Sequence, residues 1–137
     1  MYRLLLSTAL LFAGSAALSA DHGRAAREAV ATQARLDTAL AGLVPGKPQQ
    51  CLELSGMSYE TERIGDTILY KLSRQSLVRA DTTGGCNGLD RGDAIVTHSF
   101  GSQLCAGDLI RTLDLTSHIP SGACTIRSFV PYRAPKP

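Results

Sequence analysis

Four cysteines, Cys51, Cys86, Cys105 and Cys124, constrain this chain more than any other feature. All lie beyond residue 50, at long spacings and without a Cys-x-x-Cys pair. Zinc sites usually draw their thiolates from close pairs, so the spacing argues against a metal. An even count in an exported chain reads instead as a disulfide framework. Four cysteines allow three pairings, and sequence alone does not choose among them. The favoured pairing is Cys51 with Cys124 and Cys86 with Cys105. The first bridge would tie the start of the folded domain to its last strand, and the second would close the excursion between.

Export is itself read from the N-terminus. Arg3 precedes an apolar run from Leu4 to Ala13, and residues 14–20 are rich in small side chains. This is the anatomy of a signal peptide, residues 1–20, with cleavage expected after Ala20 and Ala17 or Ser19 as alternatives. The apolar run falls short of the roughly 20 residues of a spanning helix, so the mature form should carry no membrane span. The protein is expected in the periplasm or secreted. Cleavage would remove one base and no acid, reducing 14 Lys+Arg to 13 against 12 Asp+Glu. A surface so nearly neutral has no field to steer it to nucleic acid. Its remaining aromatics, Tyr59, Tyr70, Phe100, Phe129 and Tyr132, are too few for a base-stacking platform.

The rest of the chain separates by composition into four stretches. Residues 21–44 read as an amphipathic helix stopping at Gly42, with Ala26, Ala29, Val30, Leu36, Ala39, Leu40 and Leu43 near one thin apolar face. Residues 45–50, Pro45-Gly46-Lys47-Pro48-Gln49-Gln50, read as a linker. Residues 51–132 form the disulfide-bonded β-domain, and 133–137 a disordered tail. Within the domain, short alternating runs predict strands at 57–64, 67–72, 77–82, 94–100, 109–115 and 125–130. The fold class is therefore mainly β, a small antiparallel barrel or sandwich of about six strands preceded by a helix. On 67–72, Ile68, Tyr70 and Leu72 should face the core, with Thr67, Leu69 and Lys71 outward. On 94–100, Val96, His98 and Phe100 should share a face, with His98 half-buried.

No set of side chains points to catalysis. Glu60 and Glu62 would lie on one face of one strand, whereas glycoside hydrolysis needs carboxyls on opposite sides of a cleft. His22 lies beside the cleavage point and His118 in a loop, and a Cys105–His98 pair would demand a free thiolate. Ser102 lacks a Gly-x-Ser-x-Gly elbow. The glycine-rich loop 84–93 offers Asn87, Asp90 and Asp93 as calcium donors. An EF-hand spacing would need an oxygen donor at Leu89, so no complete calcium loop is present. Arg91-Gly92-Asp93 reads as a turn before a strand rather than an adhesion motif. No catalytic residue, metal or cofactor is expected.

Two resemblances bear on function. Pro45-Gly46-Lys47-Pro48 with Cys51-Leu52 and Asp66-Thr67-Ile68-Leu69-Tyr70 match one half of a pattern. Gly101-Ser102-Gln103-Leu104-Cys105-Ala106-Gly107-Asp108, Gly122-Ala123-Cys124 and Phe129-Val130-Pro131-Tyr132 match the other. Together they resemble a family of small secreted proteins of unknown function from Gram-negative bacteria. That resemblance implies export, one small domain and structural cysteines, and assigns no catalytic residue. Ser55-Gly56-Met57-Ser58-Tyr59 resembles the Ser-Gly-x-x-Tyr stretch of one lysozyme-inhibitor family. The expected function is a non-enzymatic envelope or periplasmic interaction module with a protein or envelope partner. The alternatives are an inhibitor of a cell-wall lytic enzyme and a small hydrolase.

Overall fold

Gly65-Asp66 and Arg74-Gln75 each join two runs of alternating polarity, and each becomes a two-residue hairpin turn. Gly65 takes φ of 56°, a positive value that such turns require and glycine adopts without strain. A computed structural model describes residues 15–54, 58–99 and 101–136. These turns there link β3 (Glu60–Ile64), β4 (Thr67–Ser73) and β5 (Ser76–Thr82). The next strands are β6 (Ala94–His98), β7 (Gln103–Cys105), β8 (Leu109–Leu113) and β9 (Pro120–Arg133). The main sheet is a curled antiparallel half-barrel in the order β3-β4-β5-β9-β8-β6. The mainly β, disulfide-stapled architecture expected from sequence is therefore the one observed.

β9 organises the sheet. Residues 126–133 pair with β5 along one edge, and residues 120–125 pair with β8. Beyond β8, the chain from Val44 to Gln49 also joins β9. β1 (Val44–Pro45) pairs with Tyr132 and Arg133, Gly46 N donates to Pro131 O at 2.7 Å, and Gln49 exchanges bonds with Phe129. Residues 45–50 are thus pinned along β9 rather than acting as a linker. The expected tail also begins late, since Arg133 is paired with Val44 and Ser76, and Ala134 N donates to Gln75 O.

A second, two-stranded sheet joins β2 (Cys51–Glu53) to β7, with Cys51 opposite Cys105 and Leu52 opposite Leu104. This register corrects the expected cysteine pairing. The bridges are Cys51–Cys105 and Cys86–Cys124, and no cysteine is free. The favoured pairing presumed that residue 51 begins the domain and must be tied to its end. Hydrogen bonds from residues 44–49 to β9 already make that tie, which leaves Cys124 for the loop that crosses it.

That crossing depends on glycine. A Cβ on Gly122 would lie 2.5 Å from Gly85 O and 2.7 Å from Asn87 N, and Ala123 N donates to Gly85 O. The loop therefore rests backbone to backbone on β9, with Cys86 next to the contact and the bridge to Cys124 closing it.

The core lies on both faces of the sheet. Ile68, Tyr70, Val78, Ala80, Ile110, Ile126 and Phe129 fill the inner face, where Leu52 and Leu104 of the small sheet close over them. Leu72 packs there as expected. Leu69, expected outward, is instead fully buried with Ile64 and Leu77 on the other face. The end of α1 (Ser15–Ala39) and the turn after it cover that face through Leu36, Ala39, Leu40 and Leu43. Strict alternation assumes one wet face, and the helix end removes that assumption.

The chain divides into two units, 1–35 and 36–137. In the first, Val30 of the expected apolar stripe is 71% exposed; Leu36, Ala39, Leu40 and Leu43 belong to the second. The helix stops at Ala39, a little before Gly42, which takes φ of 76° in the turn that follows. Residues 1–14 of the expected signal peptide lie outside the described residues, as do Met57 and Phe100 of the expected strands. Among the described residues no helix is long and apolar enough to cross a membrane.

Burial also sets the chemistry of Tyr70, whose ring meets Tyr59 edge to face at 5.7 Å. Desolvation, with Tyr59 adding and Arg63 opposing, pushes its phenol from 10.0 up to about 12. The folded state therefore keeps a proton that the unfolded chain loses first, and stability falls as pH rises from 10 toward about 12. An alkaline absorbance titration should show a late tyrosine step at about 12 that Tyr70→Phe removes. A Tyr70 step near 10 in the still-folded protein would count against the buried phenol.

Candidate functional site

The calcium donors of the 84–93 loop are occupied by the protein. Asp90 Oδ1 accepts from Gly65 N at 2.9 Å, fastening the loop to the β3–β4 turn. Asp93 is buried, and its Oδ2 accepts from Ser121 Oγ on β9 and from Arg91 Nη2 at 3.1 Å. Ser121 Oγ also lies 2.9 Å from the Thr112 hydroxyl, which joins Thr112 to the same chain. Gly88 leaves room for this chain, since a Cβ there would overlap Asp93 Oδ2. Asn87 does not join Asp90 and Asp93 around a common centre in any of these bonds. Among the described residues no group of three or more His, Cys, Asp or Glu could hold a metal ion. The Thr112–Ser121–Asp93 chain is a satisfied structural network. No histidine takes part in its hydrogen bonds, so it lacks the base that would activate a serine.

Two open polar hollows mark the surface. One is lined by Asp66, Thr67, Arg79, Asp81, Thr82 and Arg127, among others. Asp81 Oδ1 accepts from Thr67 Oγ1 at 2.9 Å and Arg79 Nε at 2.8 Å. Burial pulls the Arg79 pKa down, but the Asp81 hydrogen bond and charge outweigh it and keep the guanidinium charged. The other runs along β3, where Glu62 pairs with Lys71 at 2.8 Å and Glu60 is exposed. That hydrogen bond raises the Lys71 pKa. The second hollow holds its ion pair on a solvated face, whereas the Arg79–Asp81 pair of the first is part-buried.

The histidines do not converge. His22 is on α1, His98 at the end of β6 and His118 in the β8–β9 turn. His98 and Val96 are exposed rather than half-buried, because β6 turns Ile95 toward the core. Cys105, the imagined partner of His98, is bridged to Cys51. Ser102 Oγ donates to Glu53 Oε2 at 3.2 Å on the surface. The inhibitor-like stretch falls partly outside the described residues, at 55–57. Its Tyr59 is exposed and meets Tyr70 edge to face.

The β8–β9 turn escaped the sequence reading. Asp114 Oδ1 accepts from Thr116 N at 2.9 Å, Ser117 N at 2.7 Å and Ser117 Oγ at 3.0 Å. His118 N donates to Asp114 O, and Asp114 N donates to Ile119 O. His118 takes φ of 58°, which places it in the left-handed region that closes the turn. This framework holds two large aliphatic side chains out in solvent, Leu115 at 64% and Ile119 at 63% exposed. The Ser117 and Thr116 amides, with the Ser117 hydroxyl, hold the Asp114 carboxyl below its ordinary 3.8. Its contribution to the turn is thus present above 3.8 and lost as pH falls through the lowered value. The available signal was Asp followed three residues later by Ser, a common turn pattern that says nothing about the aliphatics beside it.

Comparison with protein-family models, with curated proteins and with solved structures gives no match.

Proposed function

We propose that this protein is a non-enzymatic interaction module of the cell envelope, periplasmic or secreted, which presents its β8–β9 turn to a protein partner. The observation that carries the reading is the pairing of rigidity with exposure. Three hydrogen bonds to one carboxylate oxygen hold a turn whose Leu115 and Ile119 are left in water. Ordering a loop in advance reduces what a complex must spend on ordering it, and aliphatic anchors supply the contact area. The two disulfides fit folding in an oxidising environment. The satisfied Asp93 network and the scattered histidines favour binding over catalysis.

The test is capture from envelope extract on immobilised protein, native against Leu115→Ser/Ile119→Ser. The double variant should keep its melting curve, since neither side chain is buried. It should recover the partner at least about tenfold less well, the equivalent of losing about 1.4 kcal/mol of contact. Asp114→Ala should weaken capture in the same direction by loosening the turn. Recovery of the same proteins in the same amount by all three would overturn the assignment. Adding lysozyme to the same resin tests the inhibitor alternative directly.

A further inference from the structure

Among the described residues the main path of the half-barrel ends in β3 on one side and β6 on the other, and these two end strands differ in chemistry. β3 ends one side with Glu60, Thr61, Glu62, Arg63 and Ile64, and β6 ends the other with Ala94, Ile95, Val96, Thr97 and His98. Natural sheets commonly guard an open edge with charge against pairing with another chain. β3 is guarded in this way. Were it to pair with itself about its central residue, Glu62 would face Glu62 of the second copy. β6 carries no Asp, Glu, Lys or Arg. Among the described residues its backbone is bonded to β8 and to no other strand.

We propose that the β6 edge is a self-association surface, on which β6 of a second copy pairs antiparallel about Val96. An antiparallel strand that pairs with its own copy through a two-fold axis sets one residue opposite itself. With Val96 at the centre, Ile95 faces Thr97 of the second copy and Ala94 faces its His98. Each pair is compatible. Two β-branched valines meet at the axis, a second β-branched pair flanks them, and the smallest side chain faces the bulkiest. Val96, 40% exposed in one copy, becomes covered, and Ile95 already packs on the core beside it. No like charges meet within the strand pair.

Closure favours a second copy over a foreign strand. A two-fold pairing stops at two copies. The joined sheet then ends at both sides in β3, the edge already guarded by charge. Pairing β6 with β3 of another copy would instead leave a fresh β6 at every step and run on into a filament. The surface adjoins the β8–β9 turn, since Ala94 lies opposite Leu113, but the two proposals are tested at different residues, Val96 here and Leu115 with Ile119 there.

Sedimentation velocity of the oxidised protein over a range of concentrations should show a reversible dimer. Val96→Lys sets two ammonium groups opposite each other and should raise the dimer dissociation constant at least about tenfold, with an unchanged circular dichroism spectrum. Cross-linking then reads the register independently of that variant. Val96→Cys should form an intermolecular disulfide with itself under mild oxidation. Ala94→Cys and His98→Cys should each fail alone and succeed when mixed. A native protein that stays monomeric throughout overturns the proposal, even if β6 then captures an extended peptide of another protein. So does a dimer that survives Val96→Lys and leaves Val96→Cys uncross-linked, which would place the interface elsewhere.

Discussion

Replacing Cys86 and Cys124 together by Ala is expected to lower stability by about 4 kcal/mol and the melting temperature by roughly 15–30 °C. The bridge spans a sequence separation of 38, and closing a loop of that size removes much of the unfolded chain's freedom. Both half-cystines are buried, Cys86 at 2% and Cys124 at 5%, so the substitution also leaves a gap in the inner core. Beside them, Gly85 and Gly122 lie backbone to backbone, a contact with no side chains of its own to hold it. The bridge adds a covalent tie to the hydrogen bonds of Gly85 and Asp93 that hold the 84–93 loop on β9. Urea unfolding of the double variant against the native protein measures the effect. An unchanged midpoint would mean that Cys86 and Cys124 are not joined.

The second large effect is expected at Phe129→Ala, at about 3–5 kcal/mol. Phe129 is fully buried and is the largest side chain so placed. It sits where β9 is paired on both sides, opposite Ala80 of β5 and bridged to Gln49. The small Ala80 leaves room for the ring, and neighbours held by two sets of backbone bonds cannot easily collapse into the cavity that Ala would leave. Thermal or chemical unfolding should show a reduced midpoint with little change in denaturant slope, since the surface exposed on unfolding is nearly the same. A loss below about 1 kcal/mol would put Phe129 outside the core.

Much of the sheet was legible in sequence because its hairpins are local. Gly65-Asp66 and the four residues from Ser73 to Ser76 mark turns, and the alternating runs around them became β3, β4 and β5. β1, β2 and β7 were not legible, because strands of two or three residues hold no alternation to detect. They are made by pairing with distant segments, and that pairing also decides which cysteines meet. Cys51 faces Cys105 only because β2 finds β7. Leu69 was misplaced for a related reason, since its cover comes from the end of α1 and not from its own strand. In loop 84–93, the clustered glycines and acids looked like ion-binding chemistry. They serve close backbone approach at Gly85 and internal hydrogen bonds at Asp90 and Asp93. The β8–β9 turn shows the limit from the other side, because exposure of Leu115 and Ile119 is a property of the fold that composition does not carry.

The position of β9 has a consequence for how the molecule is made. It follows β1 to β8 in the chain, yet β5, β8, β1 and Gln49 all hydrogen-bond to it, and it supplies Cys124. A nascent chain that has not yet emitted residues 120–133 can form the β3–β4–β5 meander but has nothing to join it to β8. The two halves of the sheet can meet only once residues 120–133 have been made, so the strands before them wait on that segment. Folding that waits on such distant partners is slow for a chain of this size.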